Sequence, residues 1–190
     1  LCADAYRALS NADIAFVNGG GIRKQIEAGD ITLDDIYSVH PFGNTMCVIR
    51  VTGQQVLDAL EWGARAVPSE NGGFLQVSGL TYEIHTGIAS SAEKDENGMF
   101  TRVSGEYRVK NVMVGGQPLE LDKTYTLASH NYMLLGHGDG YTMFDGCEVL
   151  GEDMMVDNQV LITYITTTLG GVVGEQYANP YGDGRIVAVE

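Results

Sequence analysis

A single α+β domain with mixed sheets and flanking helices is what this 190-residue sequence predicts, and three observations carry the prediction. Hydrophobic residues make up 44% of the chain, enough to build a sizeable core. The first third follows short apolar runs with segments of helical spacing, whereas the middle switches to period-two alternation between glycine-containing turns. No internal repeat or low-complexity tract interrupts that order.

Each element has its own signal. "LCADAYRAL" has helical apolar spacing, and because it opens on Leu1 rather than Met the chain reads as a piece of a longer protein. "DIAFVN" (13–18) is a buried strand running into an Asn-Gly turn. "DITLDDIYSVHPFGN" holds a short helix with Thr32 as N-cap, Asp35 three residues on, and Pro41 as its stop. "TMCVIRVTG" (45–53) is β-branched and apolar, hence strand. The following segment places Val56, Leu57, Leu60, Ala64 and Val67 at helical spacing, with Thr52 as its cap. Next, "FLQVSGLTYEIHT", "EYRVKNVMVGGQPL" and "TYTLASH" alternate and read as an antiparallel meander, with Gly115-Gly116 as a hairpin signal. The polar stretch 90–102 between two of them reads as a mobile loop. "VDNQVLITYITTTLG" (156–170) is a helix with Val160, Leu161, Tyr164, Ile165 and Leu169 on one face and Gly170-Gly171 as its stop, and "GRIVAVE" closes the chain as a strand.

Charge and cysteine content remove several function classes. The formal net charge of −14, without any cluster of lysine and arginine, opposes binding of nucleic acid or an anionic membrane. A small anion remains possible where an arginine and backbone N–H groups act at short range. The three cysteines Cys2, Cys47 and Cys147 are widely spaced, without a CxxC pair, and read as free, buried thiols. No apolar run reaches the ~20 residues of a membrane span.

Three stretches carry candidate chemistry. In "VNGGGIRKQI" three glycines separate Asn18 from Arg23, a pattern that fits neither a Walker loop nor a dinucleotide fingerprint. It reads either as a sharp turn after a strand or as a bend that lets a ligand approach the backbone between an amide and a guanidinium. In "HPFGNT", Phe42 lies between Pro41 and Gly43, either core-facing or presented as a stacking platform for a planar ring. In "SHNYMLLGHGDGYTMF", Asp139 between two glycines is either a simple Asp-Gly turn or a carboxylate held rigidly to accept two hydroxyl hydrogens from a sugar diol. His130 and His137 lie seven apart without carboxylates at ligand spacing, so they, like His40 and His85, read as hydrophilic loop residues rather than metal ligands. No nucleophile elbow, HExxH or two-metal Asp/His set is present.

Taken as an ordered set, "NGGGIR", "PFGN", "GGFLQVSG" and "SHNYMLLGHGDGY" resemble the C-terminal domain of the 5′-nucleotidase family of metallophosphoesterases, over essentially the whole chain. The resemblance implies a four-layer α/β/β/α arrangement and a substrate-binding domain spanning residues 1–190. It implies that two divalent metal ions and a catalytic His-Asp pair belong to a separate N-terminal domain, joined in cis and moving against this one, so that this chain binds no cofactor and hydrolyses nothing alone. Carried over by motif, Asn18 and Arg23 would contact the nucleotide, Arg23 at phosphate or ribose oxygens. Phe42 would stack on the base, Asn44 would hydrogen-bond near it, Gly72 would let the backbone pass close to the ligand, and Asp139 would hold the ribose hydroxyls. The family's second stacking aromatic falls on Met133 by counting, with Tyr132 beside it; either Tyr132 supplies a ring or Met133 makes a sulfur contact. The substrate implied is a 5′-nucleotide, with 2′,3′-cyclic nucleotides and nucleotide sugars as alternatives. The location implied is exported, periplasmic or surface-anchored. A reading of another class is a non-catalytic nucleoside-binding or surface-interaction module on the same scaffold.

Overall fold

The computed structural model describes residues 1–179 and 182–190. Helix α1 (Cys2–Ser10) leads into β1 (Ile14–Asn18), which bends through a single 3₁₀ turn at Gly19–Gly21. At the start of α2 (Leu33–Val39) the Thr32 hydroxyl accepts from the Asp35 N–H while the Asp35 carboxylate accepts from the Thr32 N–H. β2 (Met46–Thr52) passes into α3 (Gly53–Ala64) through the same reciprocal device, built from Thr52 and Gln55. Such a cap contributes about 1 kcal/mol, which fixes where each helix starts.

The remaining elements are β3 (Leu75–Ser78), β4 (Leu80–His85), β5 (Ala92–Lys94), β6 (Phe100–Val103), β7 (Val109–Val114), β8 (Gln117–Pro118), β9 (Thr124–His130), α4 (Asn131–Leu134), β10 (Glu148–Gly151), α5 (Asp157–Thr163) and β11 (Ile186–Val189). They form a five-stranded sheet in the order β10-β2-β9-β1-β3, a four-stranded sheet in the order β11-β4-β7-β8 and a β5-β6 hairpin. Both larger sheets are mixed: β1 runs parallel to β9, and β11 parallel to β4, while the other pairs are antiparallel.

The two faces of the five-stranded sheet have different partners. Ala15, Val17, Met46, Val48 and Ala128 pack beneath α1, α2 and α5. Ile14, Phe16, Ile49 and Leu127 face the larger core, shared with α3 and with Tyr82, Ile84, Val109 and Val112 of the four-stranded sheet. Coverage on both faces explains why "IAFVN" shows no alternation: all five residues are buried. Helix α3 packs on β2, β3, β6 and β7, strands of both sheets and the hairpin.

Two expectations need correction. The three alternating runs do not make one meander: β3 and β9 belong to the five-stranded sheet, β4 and β7 to the four-stranded one. Gly79 alone separates β3 from β4, at φ +82° and with an added Cβ only 2.1 Å from the Asp13 carbonyl oxygen, so the chain turns there into another sheet. Alternation reports which side is buried, not which strand lies alongside. Residues 90–102 are not a loop either. The Asp95 carboxylate accepts from the N–H groups of Asn97 and Met99, Gly98 sits at φ +81°, and β5 pairs with β6 across that Asn-Gly turn. Phe100 anchors the hairpin edge-on against Trp62, ring centroids 5.7 Å apart. Helix 156–170 is present as α5 plus one widened π turn, Tyr164–Thr168. Among the described residues no helix is long and apolar enough to cross a membrane.

Candidate functional site

Neighbouring parallel strands bring their carboxyl ends to one edge, and in open mixed sheets that edge is where ligands collect. Asn18 ends β1 and His130 ends β9, so the two side chains meet, with 3.0 Å between Asn18 Oδ1 and His130 Nε2. The Asn18 Nδ2 group donates to Asp139 Oδ2 over 2.6 Å. Asn18 is thereby 5% exposed and fully engaged, which makes it a holder of Asp139 rather than an open contact.

Asp139 sits at φ 55° between Gly138 and Gly140 and is held by three side chains. Besides Asn18, the Tyr132 hydroxyl donates to Asp139 Oδ1 over 3.2 Å, and the Trp62 indole N–H donates to the Asp139 carbonyl over 2.9 Å. Its neighbour Tyr141, wholly buried, donates from its hydroxyl to the Gly73 carbonyl over 2.5 Å. That bond ties the Gly-Asp-Gly turn to the Gly72–Gly73 loop. The Arg65 guanidinium stacks on the Trp62 ring at 3.7 Å and supplies positive charge near Asp139, although burial lowers its basicity first.

The glycine loop closes the same wall. Gly19 and Gly20 donate to the carbonyls of Phe74 and Gly72 over 2.7 and 2.8 Å, and a Cβ at Gly20 would meet the Gly72 backbone at 3.1 Å. The two backbones lie close, and a side chain at Gly20 would require the Gly72 backbone to give by a few tenths of an ångström. Arg23, exposed, donates to the Gly20 carbonyl over 3.2 Å and holds its guanidinium 5.9 Å from the centroid of the Phe42 ring. Phe42 is 59% exposed, so it is presented rather than core-facing. Its loop is pinned on both sides: the Asn44 N–H donates to the Asp157 carboxylate and the Asp157 N–H to the Asn44 carbonyl, while the Thr45 N–H donates to the Asn131 side-chain oxygen and the Asn131 N–H to the Thr45 carbonyl. Because Asn131 precedes Tyr132, the Phe42 and Tyr132 loops are one unit.

Of the two residues competing for the second stacking position, Tyr132 is 43% exposed while Met133 is 0% exposed inside the large core. The first turn of α4 points Met133 inward and leaves the tyrosine ring at the surface.

Sequence reasoning missed the residues underneath. His40 and His130 are buried, not hydrophilic loop histidines. His40 Nδ1 lies 3.3 Å from the Gly21 carbonyl, and burial lowers its basicity, partly countered by Asp157, whose own carboxyl burial raises. Burial also pushes His130 down to about 4, so its ring is neutral near pH 7. His137, at φ 55°, pairs with Asp145. The lone tryptophan offered a usable signal, since a buried indole N–H needs an acceptor; nothing in the sequence marked His130.

The assembled groups are a fixed carboxylate, two presented rings, an exposed guanidinium and a backbone that admits close approach. Among the described residues no three His, Cys, Asp or Glu side chains come together as a metal site. Groups of this kind can hold a polar, planar ligand. The family described as 5′-nucleotidase, C-terminal domain, matches residues 1–146.

The chain belongs to that family. Its relatives include the trifunctional nucleotide phosphoesterase protein YfkN of Bacillus subtilis, 35% identical over 95% of this chain and 11% of that protein. The 5′-nucleotidase of Vibrio cholerae is 32% identical over 87% of this chain and 26% of its own length. Among solved structures, the 5′-nucleotidase precursor of Thermus thermophilus superposes with a TM-score of 0.80 at 31% identity, covering 99% of this chain and 34% of that one. The chain therefore spans from about a tenth to about a third of the length of these family members.

Proposed function

We propose that this chain is the nucleotide-recognition domain, spanning residues 1–190, of a phosphoesterase that hydrolyses 5′-nucleotides to nucleoside and phosphate. The base lies on Phe42, with the Tyr132 ring on its other side and Asn44 near its edge. Asp139 accepts the ribose hydroxyl hydrogens, Arg23 meets phosphate or ribose oxygens, and the Gly72 backbone lines the approach. The observation that carries this reading is the fixed Asp139 carboxylate, joined by hydrogen bonds to Asn18 and Tyr132 and through tied loops to the presented Phe42 ring. Its relatives, a nucleotide phosphoesterase and a 5′-nucleotidase, support the same chemistry.

Bond breaking belongs to a domain in cis outside these residues, where two divalent ions would supply metal-assisted hydrolysis. This chain's part is to hold the nucleotide in a reactive pose, and movement between the domains carries it to that centre. An exported, periplasmic or surface-anchored location fits this reading.

Calorimetric titration of adenosine and AMP into wild type and Phe42→Ala tests it. Saturable binding to wild type, weakened about tenfold or more in Phe42→Ala because a stack on one base contributes ~1–3 kcal/mol, is expected. Absence of binding by wild type would overturn it.

A further inference from the structure

The donor pattern around Asn18 follows from elementary valence. An ionised carboxylate only accepts hydrogen bonds, so the Asn18 amide must turn its NH2 toward Asp139 Oδ2, 2.6 Å away. Its oxygen then faces His130 Nε2 at 3.0 Å, and that contact is attractive only if Nε2 carries the proton. The His130 ring is 2% exposed, and Tyr6 lies edge-on with ring centroids 6.3 Å away and Tyr132 lies tilted at 5.9 Å, so packing fixes its plane. Its Nδ1 has no partner among the described residues, as expected for the unprotonated nitrogen of that tautomer.

We infer that His130 is a positioning residue for the sugar-binding carboxylate: its Nε2–H orients the Asn18 amide, and that amide holds Asp139 for a vicinal diol. The inference rests on the reading of Asp139 given above and adds the group that sets its geometry. With an apolar side chain at 130, the buried Asn18 oxygen loses its donor and the amide is free to rotate. Rotation by half a turn would put oxygen against oxygen at Asp139, and the carboxylate would be displaced toward its remaining partner, Tyr132. The base platform at Phe42 hangs on a different set of bonds, to Asp157 and Asn131, and none of them is made by the His130 ring. Loss of His130 therefore weakens recognition of the sugar hydroxyls specifically.

The test compares adenosine with 2′,3′-dideoxyadenosine, which keeps the base and lacks the diol, on this chain and its His130→Leu and His130→Gln variants. Glutamine places an amide donor near the position of Nε2. Wild type is expected to bind adenosine about tenfold more tightly than the dideoxy compound, consistent with hydrogen bonds to a charged group. His130→Leu should lose most of that ratio with less than about a twofold change for the dideoxy compound, and His130→Gln should retain at least half of it on a logarithmic scale. Nitrogen-15 NMR of the wild-type imidazole should show the Nε2–H tautomer.

An unchanged ratio in His130→Leu, an equal loss of both ligands, or an Nδ1–H tautomer would overturn the inference. Absence of any diol preference in wild type would instead remove the Asp139 reading, and this inference with it. Should His130→Leu not fold, the ratio in His130→Gln and the wild-type tautomer decide the matter, a flat ratio or the wrong tautomer counting against it.

Discussion

Asn18 donates to the Asp139 carboxylate over 2.6 Å, joining the end of the first strand to a turn 121 residues later. This bond converts a glycine bend and an Asp-Gly turn, each unremarkable alone, into one wall with a fixed acceptor. Everything near it is arranged to keep both side chains where they are.

Gly21 tests that arrangement from below. A Cβ at Gly21 would lie 2.6 Å from Asn18 Oδ1, too close for the amide to stay in place. Gly21→Ala is expected to weaken adenosine binding about tenfold, the scale of one lost charge-assisted hydrogen bond. Gly87→Ala, where an added Cβ meets nothing within 4 Å, should leave binding unchanged and serves as the control. Calorimetry on both variants checks the contrast.

Tyr132 and Met133 separate by substitution. Tyr132→Phe removes only the bond to Asp139 Oδ1 and keeps the ring, so adenosine affinity should stay within about threefold of wild type. Tyr132→Ala should weaken it by ~1–3 kcal/mol through loss of a base stack. Met133→Ala, emptying a fully buried position, should instead cost ~2–5 kcal/mol of folding stability by leaving a cavity. Urea denaturation alongside the titrations distinguishes a binding residue from a core residue.

The helix and strand inventory was largely legible, because capping pairs such as Thr32 with Asp35 and spacing such as Val56, Leu60 and Ala64 are local signals. Pairing was not. Leu75–Ser78 and Leu80–His85 carry the same alternation yet enter different sheets, since period two encodes burial and Gly79 alone encodes the change of partner. The β5–β6 hairpin was hidden by its polar composition, although Asn97-Gly98 is an ordinary hairpin signal. Motif residues such as Asp139 and Phe42 were visible from their glycine and proline neighbours. His130 was not, because what it does depends on groups that only folding places beside it.

Protonation of His130 should couple stability to pH. A histidine titrates near 6.5 when unfolded, whereas burial, with His40 nearby, holds the folded ring down to about 4. The folded chain therefore declines a proton that the unfolded chain accepts, and stability complete above about pH 6.5 is lost as pH falls toward 4, by on the order of 3 kcal/mol. His40 acts in the same direction, while the raised carboxyl of Asp157 opposes it. The difference in denaturation midpoint between wild type and His130→Gln isolates the His130 contribution. That difference should shift in favour of wild type on going from pH 4.5 to pH 7.

Incubation of the 190-residue chain with AMP and magnesium, manganese or zinc should release no inorganic phosphate. On the proposed division of labour, bond breaking requires the two divalent ions of the separate domain in cis. Metal-dependent phosphate release by the pure chain would contradict the division of labour proposed for it.

The most direct measurement is a crystal structure of this chain soaked with AMP. The adenine ring is expected against Phe42 with Tyr132 on its far side, and the ribose hydroxyls within hydrogen-bonding distance of the Asp139 carboxylate. AMP bound elsewhere, or bound with its sugar turned away from Asp139, would contradict it.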